Sequence, residues 1–483
     1  MSDPDDRIDA WLNAEVEPLA PPPGSYERIR RRAHRRKLRR ATLSAAGVAI
    51  VIAAAAVTPG IASTLLHPGS GGPERPVAEG TPAPASRPAV TGSGSGGVNS
   101  ESSSPVPTLG ASLSPAGSGA LVPANFRPTS VTFIGAIGAV IGQAGTPGHC
   151  ATKYCTSLAG TSDYGRSWYG VSAPLAGPPR GARGVSQLRF LNLSDGWAFG
   201  PQLWVTHDGG ASWTQEPTHG MRVTDLETAG DRAFALFARC TGSGADYGAS
   251  CTSFALYTSL AGTDQWRPVP GPTGSGLQLP QAAAGQAAAA SLVLTGGPAG
   301  GQGYLVAPSG ELLSGPLTGA AWTVAAAALP CAPGAPGPSG QPVGALLAAD
   351  SNLLALVCTS ATNETSDTQV KAIDVSSDGG AQWSRAGTGL PGGIAASVAI
   401  QAQDNLVLLA TDAGLYRSGD GGSAWQLAQA SPAGAEPGEP GFSYVGMTSL
   451  TNGVALPADP GLHEVFITTD GGSTWLPQKV SGP

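Results

Sequence analysis

Carboxylates are the reactive groups with the most regular spacing in this chain. Asp163, Asp208, Asp378, Asp420 and Asp470 each stand two residues after a Ser or Thr and two before a Gly. Acid–base cleavage of a glycosidic bond needs two carboxylates facing each other across a cleft. Asp195, Asp225, Asp231, Asp350, Asp404 and Asp412 lie on loops or near strand ends, from which such a pair would have to converge. Asp195-Gly196-Trp197 reads more simply as a strand-to-strand turn. His207, His219 and His463 are scattered, as satisfied surface residues are and ligand clusters are not. Six Cys complete the inventory: Cys150, Cys155, Cys240, Cys251, Cys331 and Cys358. No CxxC pair occurs and the spacings do not suit zinc. No His sits at a position that suggests activation of a Cys nucleophile. Neither a metal nor a cofactor is therefore expected. The even count, with no Cys in residues 1–66, suits disulfides. Cys240 and Cys251 would clip a hairpin, Cys150 and Cys155 would close a short loop before a strand, and Cys331 and Cys358 pair by elimination.

The elements that carry these residues follow from a repeat. The five regular aspartates belong to the octapeptides Thr161–Trp168, Thr206–Trp213, Ser376–Trp383, Ser418–Trp425 and Thr468–Trp475, all of the form Ser/Thr-x-Asp-x-Gly-x-x-Trp. Such a unit makes a tight turn between antiparallel strands. The Asp accepts hydrogen bonds from turn amides, the Gly takes backbone angles closed to other residues, and Ser/Thr supports the entry. The Trp begins the next strand and packs between neighbouring sheets. Two decayed copies stand in register: Ser259–Trp266 lacks the Asp and Gly, and the stretch ending at Trp322 keeps little beyond the Trp. The seven Trp are 45, 53, 56, 61, 42 and 50 residues apart, the spacing of propeller blades of about four short strands each. Strand signals run through 130–134, 185–190, 196–199, 233–237, 291–294, 303–306, 353–357 and 405–409. Blade seven reads as 447–450, 453–456, 465–468 and 475 onward. Each clear unit holds four strands of its own, so no split blade is needed, but the mode of ring closure is not visible. Residues 271–345 are dominated by Ala, Gly and Pro, and a six-bladed ring with one long insertion there is the alternative.

The octapeptide resembles the Asp-box, or BNR repeat, of sialidase-like propellers. The chain is similar to the membrane-anchored bacterial kind, including photosystem II assembly factor-like propellers. The resemblance implies an all-β, seven-bladed β-propeller in which Asp163, Gly165, Trp168, Asp208, Gly210, Trp213, Asp378, Gly380, Trp383, Asp420, Gly422, Trp425, Asp470, Gly472 and Trp475 are structural. They would sit at outer-rim turns, away from the axial pocket. Sialidase chemistry uses three Arg to hold a carboxylate, a Tyr with a Glu partner as nucleophile, and an Asp acid/base. Phe126-Arg127-Pro128 partly echoes the first-Arg motif of that family, but it lacks the Ile and precedes the first blade strand. Arg183, Arg189, Arg222, Arg232, Arg239 and Arg385 lie in no matching motif, and Glu is scarce beyond residue 130. No catalytic residue is carried over. Other Asp-box relatives are xyloglucan-type glycosidases and sortilin-like receptors.

The remaining third of the chain reads as address and spacer. Residues 41–66 carry no charge and follow a run of Arg and Lys from Arg28 to Arg40. As a helix they would reach ~39 Å, against roughly 30 Å of hydrocarbon, or ~27 Å if Pro59 stops the helix at Thr58. The basic flank predicts a cytoplasmic N-terminus and an outer C-terminal domain, with a cleaved signal peptide as the rival reading. Residues 1–40 would form a cytoplasmic tail, 41–66 a transmembrane helix, 67–121 a disordered Pro/Gly/Ser-rich linker and 122–483 the propeller. Beyond residue 40 the chain holds 16 basic and 26 acidic residues, which gives no reason to expect nucleic-acid binding. Four Lys beside 22 Arg point to a GC-rich, actinobacterial-type genome. The expectation is a non-catalytic binding or scaffold module for a protein or glycan of the cell envelope. A sialidase-like glycoside hydrolase is the alternative, and signalling through the acidic tail at 1–27 a third reading. Three Arg with a Tyr/Glu pair in the central channel would favour the hydrolase.

Overall fold

The computed structural model describes residues 113, 121–144, 155–177, 183–240, 251–279, 290–296, 300–331, 344–359, 369–387, 390–432 and 439–481. The expected tail, the helix at 41–66 and nearly all of the linker lie outside them. Among the described residues no helix is long and apolar enough to cross a membrane. Their strands form seven four-stranded antiparallel sheets, each a simple meander of sequence neighbours. The sheets span 127–171, 187–216, 222–268, 291–326, 344–387, 395–430 and 442–479 and are numbered here as blades 1 to 7. In every blade the tryptophan of the intact or decayed octapeptide is the residue immediately before the fourth strand. The Trp ladder therefore marks seven blades, not six.

Burial follows from strand position. A second strand is covered on both faces by neighbouring blades, so Gly196–Phe199 and Leu406–Thr411 are buried at every residue and are nearly all apolar. Fourth strands are short and half polar, as in Thr214–Glu216 and Leu476–Lys479, which blunts the outer edge of each sheet. The core divides into seven apolar clusters, one between each pair of adjacent blades. The cluster that closes the ring joins Val131, Val140 and Trp168 of blade 1 to Val454, Val465 and Ile467 of blade 7. Beside it, the His463 ring lies 2.8 Å from the Phe126 carbonyl. Closure thus uses the same sheet-on-sheet packing as every other interface, and among the described residues no strand is exchanged.

Blade 4 shows why a decayed turn still makes a blade. Trp322 is fully buried against Phe234 of blade 3. Its ring lies over Gly303 and Gly315, cross-strand partners at which any Cβ would collide with the indole. The packing survives although the turn chemistry has gone. One strand differs from expectation. The first strand of blade 7 is Phe442–Met447, not 447–450, because Thr448 and Ser449 turn back to bond the Asn452 carbonyl. Cys240 is bonded to Cys251 across the second and third strands of blade 3. Cys331 is bonded to Cys358, joining the end of blade 4 to the second strand of blade 5. Cys155 is also disulfide-bonded, and the expected partner Cys150 falls outside the described residues. Leu113 is buried against Ile141, Leu158 and Val171, and its carbonyl accepts the Tyr169 hydroxyl at 3.3 Å.

Candidate functional site

The octapeptides make one turn five times over. Each Ser or Thr hydroxyl donates to the Asp Oδ1 two residues on, at 2.7–2.8 Å. The same oxygen accepts the Gly amide four residues on, at 2.8–3.0 Å. The Asp Oδ1 then accepts the amide four residues beyond itself, at 2.9 Å in every copy. Burial opposes ionisation of Asp163, Asp208 and Asp470, but these hydrogen bonds together outweigh it. Hydrogen bonds lead in Asp378 and Asp420, and all five carboxyls lie below their usual range. The residue after each Asp donates its amide to the first hairpin of its own blade, as Tyr164 does to Ala136 and Gly379 to Asn352, both at 3.0 Å. Octapeptides and first hairpins therefore share one face of the ring. Trp383, Trp425 and Trp475 bond their indole N–H to the Gly carbonyl three residues back. In every copy the Ser or Thr hydroxyl and the Asp Oδ1 are engaged in building the turn.

Chemistry concentrates instead on the axis. First strands of blades 2 to 7 line a channel of about 500 Å³, and its charges gather on one side. Arg189 of blade 2 grips Glu227 of blade 3, with Nη2 at 2.7 Å from Oε1 and Nε at 3.0 Å from both carboxylate oxygens. Burial disfavours the Arg189 charge, yet Glu227 more than compensates and its pKa is raised. Asp225 stands two residues before Glu227 and so points into the same space. Burial pushes its carboxyl up to about 7, with the Glu227 charge acting in the same direction. Both of its oxygens accept backbone amides at 2.9 Å, one from Leu226 and one from Leu292 of blade 4. Tyr444 of blade 7 feels the same pair: burial raises its hydroxyl, Arg189 draws it down and Glu227 pushes it up. The opposite wall is apolar, formed by Leu292, Leu294, Leu346, Val398 and Ile400.

Of the other scattered carboxylates, none joins Asp225. Asp195 bonds His207, Asp231 lies 3.6 Å from Arg232, Asp350 accepts the Ala402 amide and Asp412 that of Ile394. His207 sits between Asp195 of its own blade at 2.7 Å and Asp264 of blade 3 at 2.8 Å. Only an imidazolium donates to both. Burial opposes that charge, the two carboxylates outweigh it, and the pKa is raised. Arg385 pairs with Asp374 at 2.8 Å. Among the described residues Arg189 is the one arginine that lines the channel, so three guanidinium groups do not converge there. Glu227 and Tyr444 escaped the sequence reading because no motif surrounds them. The available signal was alternation: Leu188-Arg189-Phe190 and Asp225-Leu226-Glu227 place opposite charges on one face of successive first strands.

No protein-family model matches the chain, and no curated protein matches it. Solved structures do. YCF48 from Cyanidioschyzon merolae is similar over 60% of this chain and 83% of its own, at 14% identity and a TM-score of 0.39. YCF48 bound to D1 peptide is similar over 73% of this chain and 93% of its own, at 17% identity and a TM-score of 0.38. An ancestral GH74 enzyme is similar over 75% of this chain and 48% of its own, at 13% identity and a TM-score of 0.48.

Proposed function

We propose that this chain is an Asp-box propeller held outside the cytoplasmic membrane, where it serves as a non-catalytic binding or scaffold module for a protein or glycan of the cell envelope. One observation carries the non-catalytic part. Both oxygens of Asp225 are engaged by backbone amides, and both oxygens of Glu227 by Arg189. The two carboxylates also sit on one strand, two residues apart, and do not flank a cleft as glycosidase chemistry requires. A ring stabilised in this way is a platform. Disulfides at Cys155, Cys240–Cys251 and Cys331–Cys358 favour an oxidising compartment. The uncharged stretch 41–66 behind its basic flank supports an anchor with a cytoplasmic N-terminus. Residues 67–121 serve as tether and 122–483 as the outer domain.

Two measurements on the full chain test this reading. In intact spheroplasts, added protease should degrade the propeller while an N-terminal tag survives, and alkaline carbonate should leave the chain in the membrane. Protection of the propeller would overturn the topology. Purified chain should retain an envelope component after crosslinking and leave fluorogenic sialosides and xyloglucan uncleaved. Turnover that vanishes in Glu227→Gln would overturn the non-catalytic reading.

A further inference from the structure

The first strands of blades 4 to 7 end at the hairpin face around a second cleft, of about 590 Å³, within the range of small-molecule sites. It opens into the channel, since Leu294, Ala349, Ile400 and Met447 line both. Gln401, the last residue of the blade 6 strand, lines this cleft and is 8% exposed. Its Nε2 donates to the Ser449 carbonyl at 2.6 Å, and because a carbonyl only accepts, that bond fixes which way the amide points. Its Oε1 then has no hydrogen-bond partner among the described residues. A buried amide oxygen left unpaired carries an uncompensated desolvation penalty, so its retention beside a cleft needs an explanation. A donor brought by a ligand supplies one.

We infer that this cleft is a binding site for a neutral saccharide unit, with Gln401 Oε1 accepting one of its hydroxyls. The lining selects against anions: among the described residues it contains Asp350 and no Lys, Arg or His. Leu294, Ile400 and Met447 give an aliphatic surface suited to the C–H face of a sugar ring, and Ser351 and Thr448 also line the cleft. The turn at 448–450, which replaces the expected strand there, supplies one wall and the Ser449 carbonyl that orients Gln401. The inference rests on the binding-module reading and narrows it to a ligand class and a place.

The test uses the full chain in a zwitterionic detergent without a sugar headgroup, applied to an array of neutral mono- and disaccharides. Sialylated and uronic-acid glycans, glycerol and short peptides are included. Neutral saccharides should bind and raise the melting temperature. Gln401→Leu should bind about tenfold more weakly; because it also removes the bond to the Ser449 carbonyl, its melting temperature without sugar is measured alongside. Leu450→Trp, which narrows the mouth at an exposed position and leaves Gln401 in place, should weaken binding as well. The site is overturned if no neutral saccharide binds, if neither variant changes binding, or if only anionic glycans, glycerol or peptides are retained. Protein capture in the crosslinking experiment without saccharide binding would overturn the site and leave the scaffold reading standing. Hydrolysis of a bound saccharide would support the site and overturn the scaffold reading.

Discussion

Replacing Arg189 by Met separates a structural role for the channel charges from a chemical one. In the native ring three N–H···O contacts of 2.7–3.0 Å join Arg189 to Glu227, with 16% and 27% of the two side chains exposed. Arg189→Met removes the cation and leaves Glu227 beside Asp225, so one part-buried carboxylate loses its partner next to a second on the same side of the strand. Breaking a fully buried pair costs about 3–5 kcal/mol. Glu227 keeps about a quarter of its exposure to the water of the channel, so a loss of about 2–3 kcal/mol is expected. Arg189→Met combined with Glu227→Gln should return to within about 1 kcal/mol of the native chain, because no charge is then stranded. Urea titration followed by tryptophan fluorescence at pH 7.5 on the native chain, both single variants and the double variant closes the cycle, with an expected coupling of at least about 1.5 kcal/mol. A single Arg189→Met variant as stable as the native chain, with no coupling, would refute the reasoning. The pair would then be free for work on a ligand, and the hydrolase reading would regain its footing.

Three further outcomes are expected. The His207 pKa is raised in the folded state, so its bonds to Asp195 and Asp264 contribute fully below the usual histidine range and are lost as pH rises through the raised value. His207→Gln should lower stability by up to about 1 kcal/mol at pH 5.5 and by nothing measurable at pH 9, as read from urea midpoints. Asp225 titrates near 7 when folded against about 3.9 unfolded, so the folded state holds the proton more tightly and stability falls as pH rises between those values. Asp225→Asn should flatten that part of the pH profile. Trp322→Ala empties the slot over Gly303 and Gly315 and should cost about 3–5 kcal/mol in denaturant unfolding, whereas Trp266→Ala, at a half-buried position, should cost less.

The fold was legible to the extent that its determinants are local. The octapeptide bonds run between residues two to four apart, so residue types at fixed offsets suffice to predict the turn. The Trp before each fourth strand then counts the blades. The decayed copies at Trp266 and Trp322 kept their place because indole packing between sheets outlives loss of the Asp and Gly. The first strand of blade 7 was misplaced by several residues, since Met447-Thr-Ser-Leu450 alternates as a strand does and only the bonds to Asn452 turn it away. Ring closure was invisible, because apolar packing between the first and last blades has no local signature.

The sequence by itself determined the kind of unit, its repeat length and the residues that build each turn, because those depend on short-range backbone geometry. It also put all six cysteines beyond residue 66. Tertiary structure alone decided which groups meet. Arg189 reaches a carboxylate 38 residues away on the next blade, and Tyr444 joins them only because the ring closes. Asp225, singled out as one of six scattered carboxylates, acquired a raised pKa from a channel that no single blade contains. Contacts across blades depend on where whole sheets stack, and that placement is set by seven apolar interfaces acting together.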